Sequence, residues 1–146
     1  MAKFVYRMQN ILNLKENLEK QQKAAFTVAN NRLMKEQDKL QELMLRQASY
    51  ENELDRLLKG RLDLKRIAHC RNSIDAMKSL VRDQMIVVHQ AQKKVDEERK
   101  KLDEVMKDRK THEKLKEKAF DEFKEDLNHQ EMKEIDELVS FTHSKN

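Results

Sequence analysis

Residues 67–102 read IAHCRNSIDAMKSLVRDQMIVVHQAQKKVDEERKKL, and within them Ile67, Ile74, Val81, Val88, Val95 and Leu102 stand seven residues apart. Cys70, Met77, Gln84, Ala91, Glu98 and Val105 follow the same step three places later. A repeat of seven with inner spacings of three and four lays one narrow stripe along an α-helix, the pattern of a left-handed coiled coil. Upstream, Leu33, Leu40, Gln47 and Leu54 repeat in the same way, with Glu36, Leu43, Tyr50 and Leu57 at the alternate positions. Nearer the start, Phe4, Met8, Ile11, Leu18, Ala25 and Ala29 fall at helical spacings, with Lys15 and Gln22 filling polar gaps. On that reading the register slips by one residue before Leu33.

Between the two repeats lies Leu57-Leu58-Lys59-Gly60-Arg61-Leu62, which holds the one glycine of the chain. Glycine inside a helix costs about 1 kcal/mol relative to alanine, so a turn is expected there. The fold expected is all-α: two long helices in an antiparallel coiled-coil hairpin, one domain over residues 1–146. Helix 1 would run over about residues 3–59 and a longer helix 2 over about 62–141. Reflection about the turn pairs positions whose numbers sum to about 121, and Leu54 with Ile67, Leu40 with Val81, Leu33 with Val88 and Leu18 with Leu102 satisfy it. The alternative is one unbroken helix that dimerises through the same stripe. Short connections favour antiparallel neighbours, hence the hairpin.

Composition closes off most other folds. Of 146 residues, 40% are charged and 38% hydrophobic, with no proline and no tryptophan. Sandwiches, barrels and βαβ units need many turns, and turns draw on glycine, proline and asparagine. One glycine cannot build a phosphate-cradling loop. No apolar run is long enough to cross a bilayer, residues 1–13 lack the apolar core of a secretory signal, and the lone Cys70 cannot form an internal disulfide. The expectation is a soluble cytosolic protein.

Helix 2 outlasts helix 1. Residues beyond about Lys118 are expected to lack a partner within the hairpin, yet Phe120, Phe123, Leu127, Met132, Ile135, Leu138, Val139 and Phe141 occur there. An apolar stripe without an internal partner suggests an external one, the alternative being a frayed tail packed on itself or a second copy. Charge is also uneven. Residues 1–35 hold seven basic and two acidic side chains, net +5; residues 117–140 hold nine acidic and three basic, net −6. Such segregation steers partners more than it adds affinity.

Catalytic chemistry is hard to find. His69, His89, His112, His129 and His143 include no pair three or four apart, so no helix face offers a metal pair. No cofactor or small-molecule substrate is expected, and no enzyme. Lys59-Gly60-Arg61, Lys65-Arg66 and Lys100-Lys101 are basic, but acidic residues interrupt them and few aromatics are present to stack on bases, so nucleic acid is not the expected partner.

Four stretches are similar to the FliJ family of the bacterial flagellar export apparatus. They are Lys3-Phe4-Val5-Tyr6-Arg7-Met8-Gln9-Asn10-Ile11-Leu12-Asn13-Leu14-Lys15-Glu16, then Gln92 to Arg99, Arg109 to Glu117, and Glu131 to Leu138. The resemblance implies a non-enzymatic stalk: an antiparallel coiled coil whose open end enters the ring of the hexameric export ATPase FliI. Its other end would be associated with the export gate protein FlhA, at the cytoplasmic face of the inner membrane. By that resemblance Phe4, Met8, Ile11, Ile135, Asp136, Glu137 and Leu138 are the candidates for ring contact. Leu43, Tyr50, Met77, Leu80 and Gln84 are the candidates for the gate, although Leu43, Tyr50, Met77 and Gln84 are also seam positions. The family equally allows an escort or chaperone for export substrates, and a purely structural self-associating coiled coil also fits the pattern.

Overall fold

The computed structural model describes residues 2–144. Two helices account for nearly all of them, α1 (Gln9–Lys59) and α2 (Leu64–Ser144), and no strand occurs among the described residues. The hairpin closes at residues 60–63. The chain divides into two compact units, one of residues 22–102 and one of residues 1–21 with 103–146.

The helix bounds differ from expectation at both ends of α2 and at the start of α1. The second helix begins at Leu64, not 62, because Asp63 caps it: the carboxylate accepts hydrogen bonds from the backbone N–H of Lys65 (3.2 Å) and Arg66 (3.4 Å). Those donors have no partner inside the helix, and an aspartate at this position satisfies them. The same helix continues to Ser144, past the expected 141. The first helix begins at Gln9, not 3. Residues 2–6 are non-helical, and the chain enters α1 through a turn in which the Gln9 N–H donates to the Tyr6 carbonyl at 3.1 Å.

In the unit of residues 22–102 the seam is a double row of the expected residues. Ala29, Leu33, Ala91 and Val95 form the buried cluster, with Phe26 and Val88 packed against it. Alanine on each helix permits close approach, and the larger side chains fill the layers on either side. Toward the turn, Ile67, Cys70, Ile74 and Val81 are buried from α2. The Cys70 thiol donates to the Tyr50 carbonyl at 3.2 Å, fixing the antiparallel pairing there.

The first third of α1 corrects the expected register. Met8, Ile11 and Leu18 are exposed at 46%, 38% and 39%, whereas Leu12 (3%) and Glu19 (7%) are buried. The covered positions of α1 therefore run Leu12, Lys15, Glu19, Gln22, Phe26, Ala29, Leu33 and onward to Leu57 in one unbroken alternation of three and four. No slip occurs before Leu33. Choosing apolar residues over Glu19 misplaces the stripe by one residue, because a carboxylate is costly in a seam unless a partner meets it.

The turn does not depend on its glycine. Gly60 has no positive φ, and a Cβ at that position would meet only the Arg56 carbonyl oxygen at 4.0 Å. Gly60→Ala is therefore expected to keep the fold and to raise stability by about 0.4–1 kcal/mol through the less flexible unfolded chain. Thermal unfolding followed by circular dichroism checks this; a loss above about 1 kcal/mol would show that the turn requires glycine. Val81→Asp, by contrast, places an unpaired charge in the seam and should melt the coil.

Candidate functional site

Polar residues at seam positions organise both units. In residues 22–102, Gln22 Nε2 of α1 donates to the Glu98 backbone carbonyl (3.1 Å) and to the Glu98 carboxylate. The reciprocal fork runs the other way: Gln84 Nε2 of α2 donates to the Glu36 carbonyl (2.9 Å) and its carboxylate (2.6 Å). Lysines flank each carboxylate, Lys94 (3.1 Å) and Lys101 (3.7 Å) at Glu98 and Lys39 (3.9 Å) at Glu36. The Gln22 hydrogen bond, with that of Lys94, holds the Glu98 carboxyl below its ordinary value of 4.5.

The unit of residues 1–21 and 103–146 uses charge pairs instead. Lys15 meets Asp108 at 2.7 Å, and Asp108 is held below its usual carboxylate value mainly by that hydrogen bond. Arg109 bridges Glu113, at 2.8 Å, and Glu19 across the seam. Those two carboxylates raise its already high basicity, Glu113 most. Glu19 is buried because Arg109 reaches it, which a pattern of apolar residues cannot reveal.

Beyond these pairs lies an aromatic clasp. From the non-helical segment, the Phe4 ring sits edge-on to Phe120 (5.1 Å between centroids, 68°) and tilted against Phe123 (5.5 Å, 49°). Lys124 Nζ lies 4.8 Å from the Phe120 ring centre. Offset and edge-to-face pairs add about 0.5–1.5 kcal/mol beyond area burial. Phe120 and Phe123 thus have a partner within the chain, contrary to the expectation that everything beyond Lys118 lacks one. Phe123 and Leu127 are half-buried, and residues 128–144 are exposed throughout.

The ring-contact candidates consequently separate into two groups. Phe4 is half-buried in the clasp and lines a groove with Leu12, Glu16, Glu113, Lys116 and Phe120, while Met8 and Ile11 lie exposed nearby in sequence. Ile135 (55% exposed) and Leu138 (66%) line a second groove with Val139, Thr142 and His143, and Asp136 and Glu137 are exposed beside them. At about 100° per residue, Met132, Ile135, Leu138 and Val139 share one side of α2, centred roughly a quarter of a revolution from the seam face of Leu127. That stripe is not a simple continuation of the seam. Among the gate candidates, Leu43, Tyr50, Met77 and Gln84 are half-buried seam residues, and Leu80 is exposed at 45% on the seam's flank.

Among the described residues no group of His, Cys, Asp and Glu is arranged to hold a metal ion, and no helix is long and apolar enough to cross a membrane. The family model described as Flagellar FliJ protein matches residues 4–146. Neither the curated proteins nor the solved structures include a match.

The polar seam makes stability sensitive to acid. Because folding lowers the Glu98 and Asp108 carboxyl pKa values, the unfolded chain binds more protons, and their contribution is present above the ordinary values near 4.5 and 3.8. It is lost as pH falls through the lower folded-state values. The thermal midpoint should be steady from neutrality down to about pH 5 and then decline. Glu98→Gln should lower the neutral-pH midpoint and flatten the decline; curves that stay parallel for the two proteins would remove Glu98 as a source of the pH dependence.

Proposed function

The chain belongs to the FliJ family of flagellar proteins, and from that premise we propose that it is a non-enzymatic stalk of the flagellar export apparatus. The end of α2 docks into the hexameric export ATPase and promotes its assembly and turnover. The observation that carries this reading is the exposed stripe of Met132, Ile135, Leu138 and Val139, bordered by Asp136 and Glu137, on a helix face centred away from the chain's own seam. A stalk inside a ring meets chemically equal subunits in turn, so its grip on any one must stay modest. Exposed ion pairs suit that need, at about 0.2–1 kcal/mol each. The apolar stripe supplies the baseline contact, at roughly 1.5–3 kcal/mol for each side chain fully buried.

On this reading the segment around the turn is associated with the export gate at the cytoplasmic face of the inner membrane. Leu80 is the one gate candidate outside the seam; Leu43, Tyr50, Met77 and Gln84 support the hairpin instead. Phe4 serves to anchor the non-helical start to α2, leaving Met8 and Ile11 available to a partner.

Two experiments test the docking. A chain truncated after residue 127 retains the Phe4 clasp and should fold, yet should lose stimulation of the cognate ATPase; normal ring assembly by that truncated chain would eliminate the tail as the docking element. Reversing Asp136 and Glu137 to lysine should weaken stimulation without changing helicity. The wild-type effect should also decline between about 0.05 and 0.5 M salt, as the Debye length shrinks well below about 10 Å. Equal half-saturation at both salts, with an unimpaired double reversal, would leave the acidic tail as a merely solvated face.

A further inference from the structure

The turn carries a concentration of charge and exposed leucine that the seam does not use and that lies outside the gate candidates. Residues 58–66, Leu-Lys-Gly-Arg-Leu-Asp-Leu-Lys-Arg, are exposed without a break. Leu58, Leu62 and Leu64 expose 46%, 61% and 76% of their surface. Residues 56–66 contain five cations (Arg56, Lys59, Arg61, Lys65 and Arg66) and one anion, Asp63, a net of +4. The whole chain carries no more than that, a formal +4. None of the five cations makes an ion pair among the described residues. Asp63, the one carboxylate within residues 56–66, is engaged in capping α2, while Glu53 shares a groove with Lys65 and Arg66 and Asp55 lies one helical turn from Lys59.

We propose that this turn docks on an anionic lipid membrane, with Leu58, Leu62 and Leu64 entering the headgroup layer and the five cations paired with lipid phosphates. Charge complementarity selects the occupant, because each Lys or Arg close to an anionic membrane surface contributes favourably and without directional demands. The leucines distinguish lipid from other anions. Apolar side chains gain by leaving water at the headgroup–acyl boundary, whereas a nucleic acid offers them stacked bases, and the turn has no aromatic residue to meet those. The long stems of Lys and Arg let the charged heads stay at phosphate level while the leucines go deeper. The turn neither spans nor anchors: three leucines and five cations make a reversible contact, sensitive to salt.

Co-sedimentation of the full chain with vesicles tests this. Vesicles of phosphatidylcholine containing about 30% phosphatidylglycerol should bind it, pure phosphatidylcholine should not, and about 0.5 M salt should release it. Arg61→Gln with Lys65→Gln should weaken binding about 25-fold, since one cation near an anionic surface is worth about fivefold. Leu62→Ser with Leu64→Ser should weaken it about tenfold. Each pair leaves the Asp63 cap and the seam in place, so circular dichroism should be unchanged. The chain contains no tryptophan, so Leu62→Trp gives a single reporter; its emission should shift to the blue on anionic vesicles. The proposal is overturned by equal binding to neutral vesicles, by an unshifted tryptophan emission when the Leu62→Trp variant is bound to vesicles, or by full retention in both double variants. It is also overturned if polyglutamate or a single-stranded oligonucleotide binds as tightly as anionic vesicles and the leucine pair has no effect.

Discussion

Register is the constraint on which this hairpin depends. Ile67, Ile74, Val81, Val88, Val95 and Leu102 are so alike that α2 could slide by one heptad, about 10.5 Å at 1.5 Å per residue, with little loss of apolar contact. The two forks, Gln22 on Glu98 and Gln84 on Glu36, do not survive such a slide. Moving either partner leaves amide or carboxylate in the seam without its mate, at the cost of an unsatisfied buried group. The forks are related by exchange of the helices: Gln22 and Gln84, Ala29 and Ala91, Leu33 and Val95, Glu36 and Glu98 are each 62 positions apart. The alanine layer is thus the centre of a local two-fold arrangement bracketed by two identical locks. Polar seam residues are known to trade stability for a single register, and here they do so in both directions along the coil.

The same logic continues in the unit of residues 1–21 and 103–146 with stronger charges and fewer apolar residues. Lys15 with Asp108 and Glu19 with Arg109 and Glu113 occupy positions where Leu or Val would add more burial. A narrow two-helix seam has little area to bury, so specificity is worth more here than depth of core. The Phe4 clasp on Phe120 and Phe123 is the exception, a local aromatic patch that ties the non-helical start to α2.

How far the fold was legible follows from these pairs. The α2 seam from Ile67 to Val105 can be read directly, because apolar residues fill most of it and the seven-residue step is strict. The turn can be read from the loss of periodicity at Gly60, although Asp63 and its cap, not glycine, set where α2 begins. The start of α1 cannot be read by apolarity. Ile11, Leu18 and Ala25 form a stripe one residue out of phase with Leu12, Glu19 and Phe26, and the partner that crosses the seam to the buried Glu19 is Arg109, ninety residues away. Phe4 is misread for a related reason: an extended segment has no heptad, so its contact with Phe120 leaves no mark in the periodicity. The exposed stripe from Met132 to Val139 is legible as a pattern, but its face relative to the seam emerges only from the helix geometry.

Where apolar side chains stay exposed, charge decides what can cover them. Around Leu62 and Leu64 five cations outnumber Asp63; around Ile135 and Leu138 the carboxylates Glu131, Glu134, Asp136 and Glu137 outnumber Lys133. A leucine contributes similar burial energy to any apolar surface, so it cannot by itself choose between a lipid layer and a protein groove. The surrounding charges make that choice, by attracting one sign of surface and repelling the other before contact forms. On the two proposals made above, a cationic turn and an acidic tail favour surfaces of opposite sign, so the two segments would not exchange partners. Two such contacts, if both proposals hold, would be kept apart by the sign of their charge in a chain with too few apolar residues for a globular core.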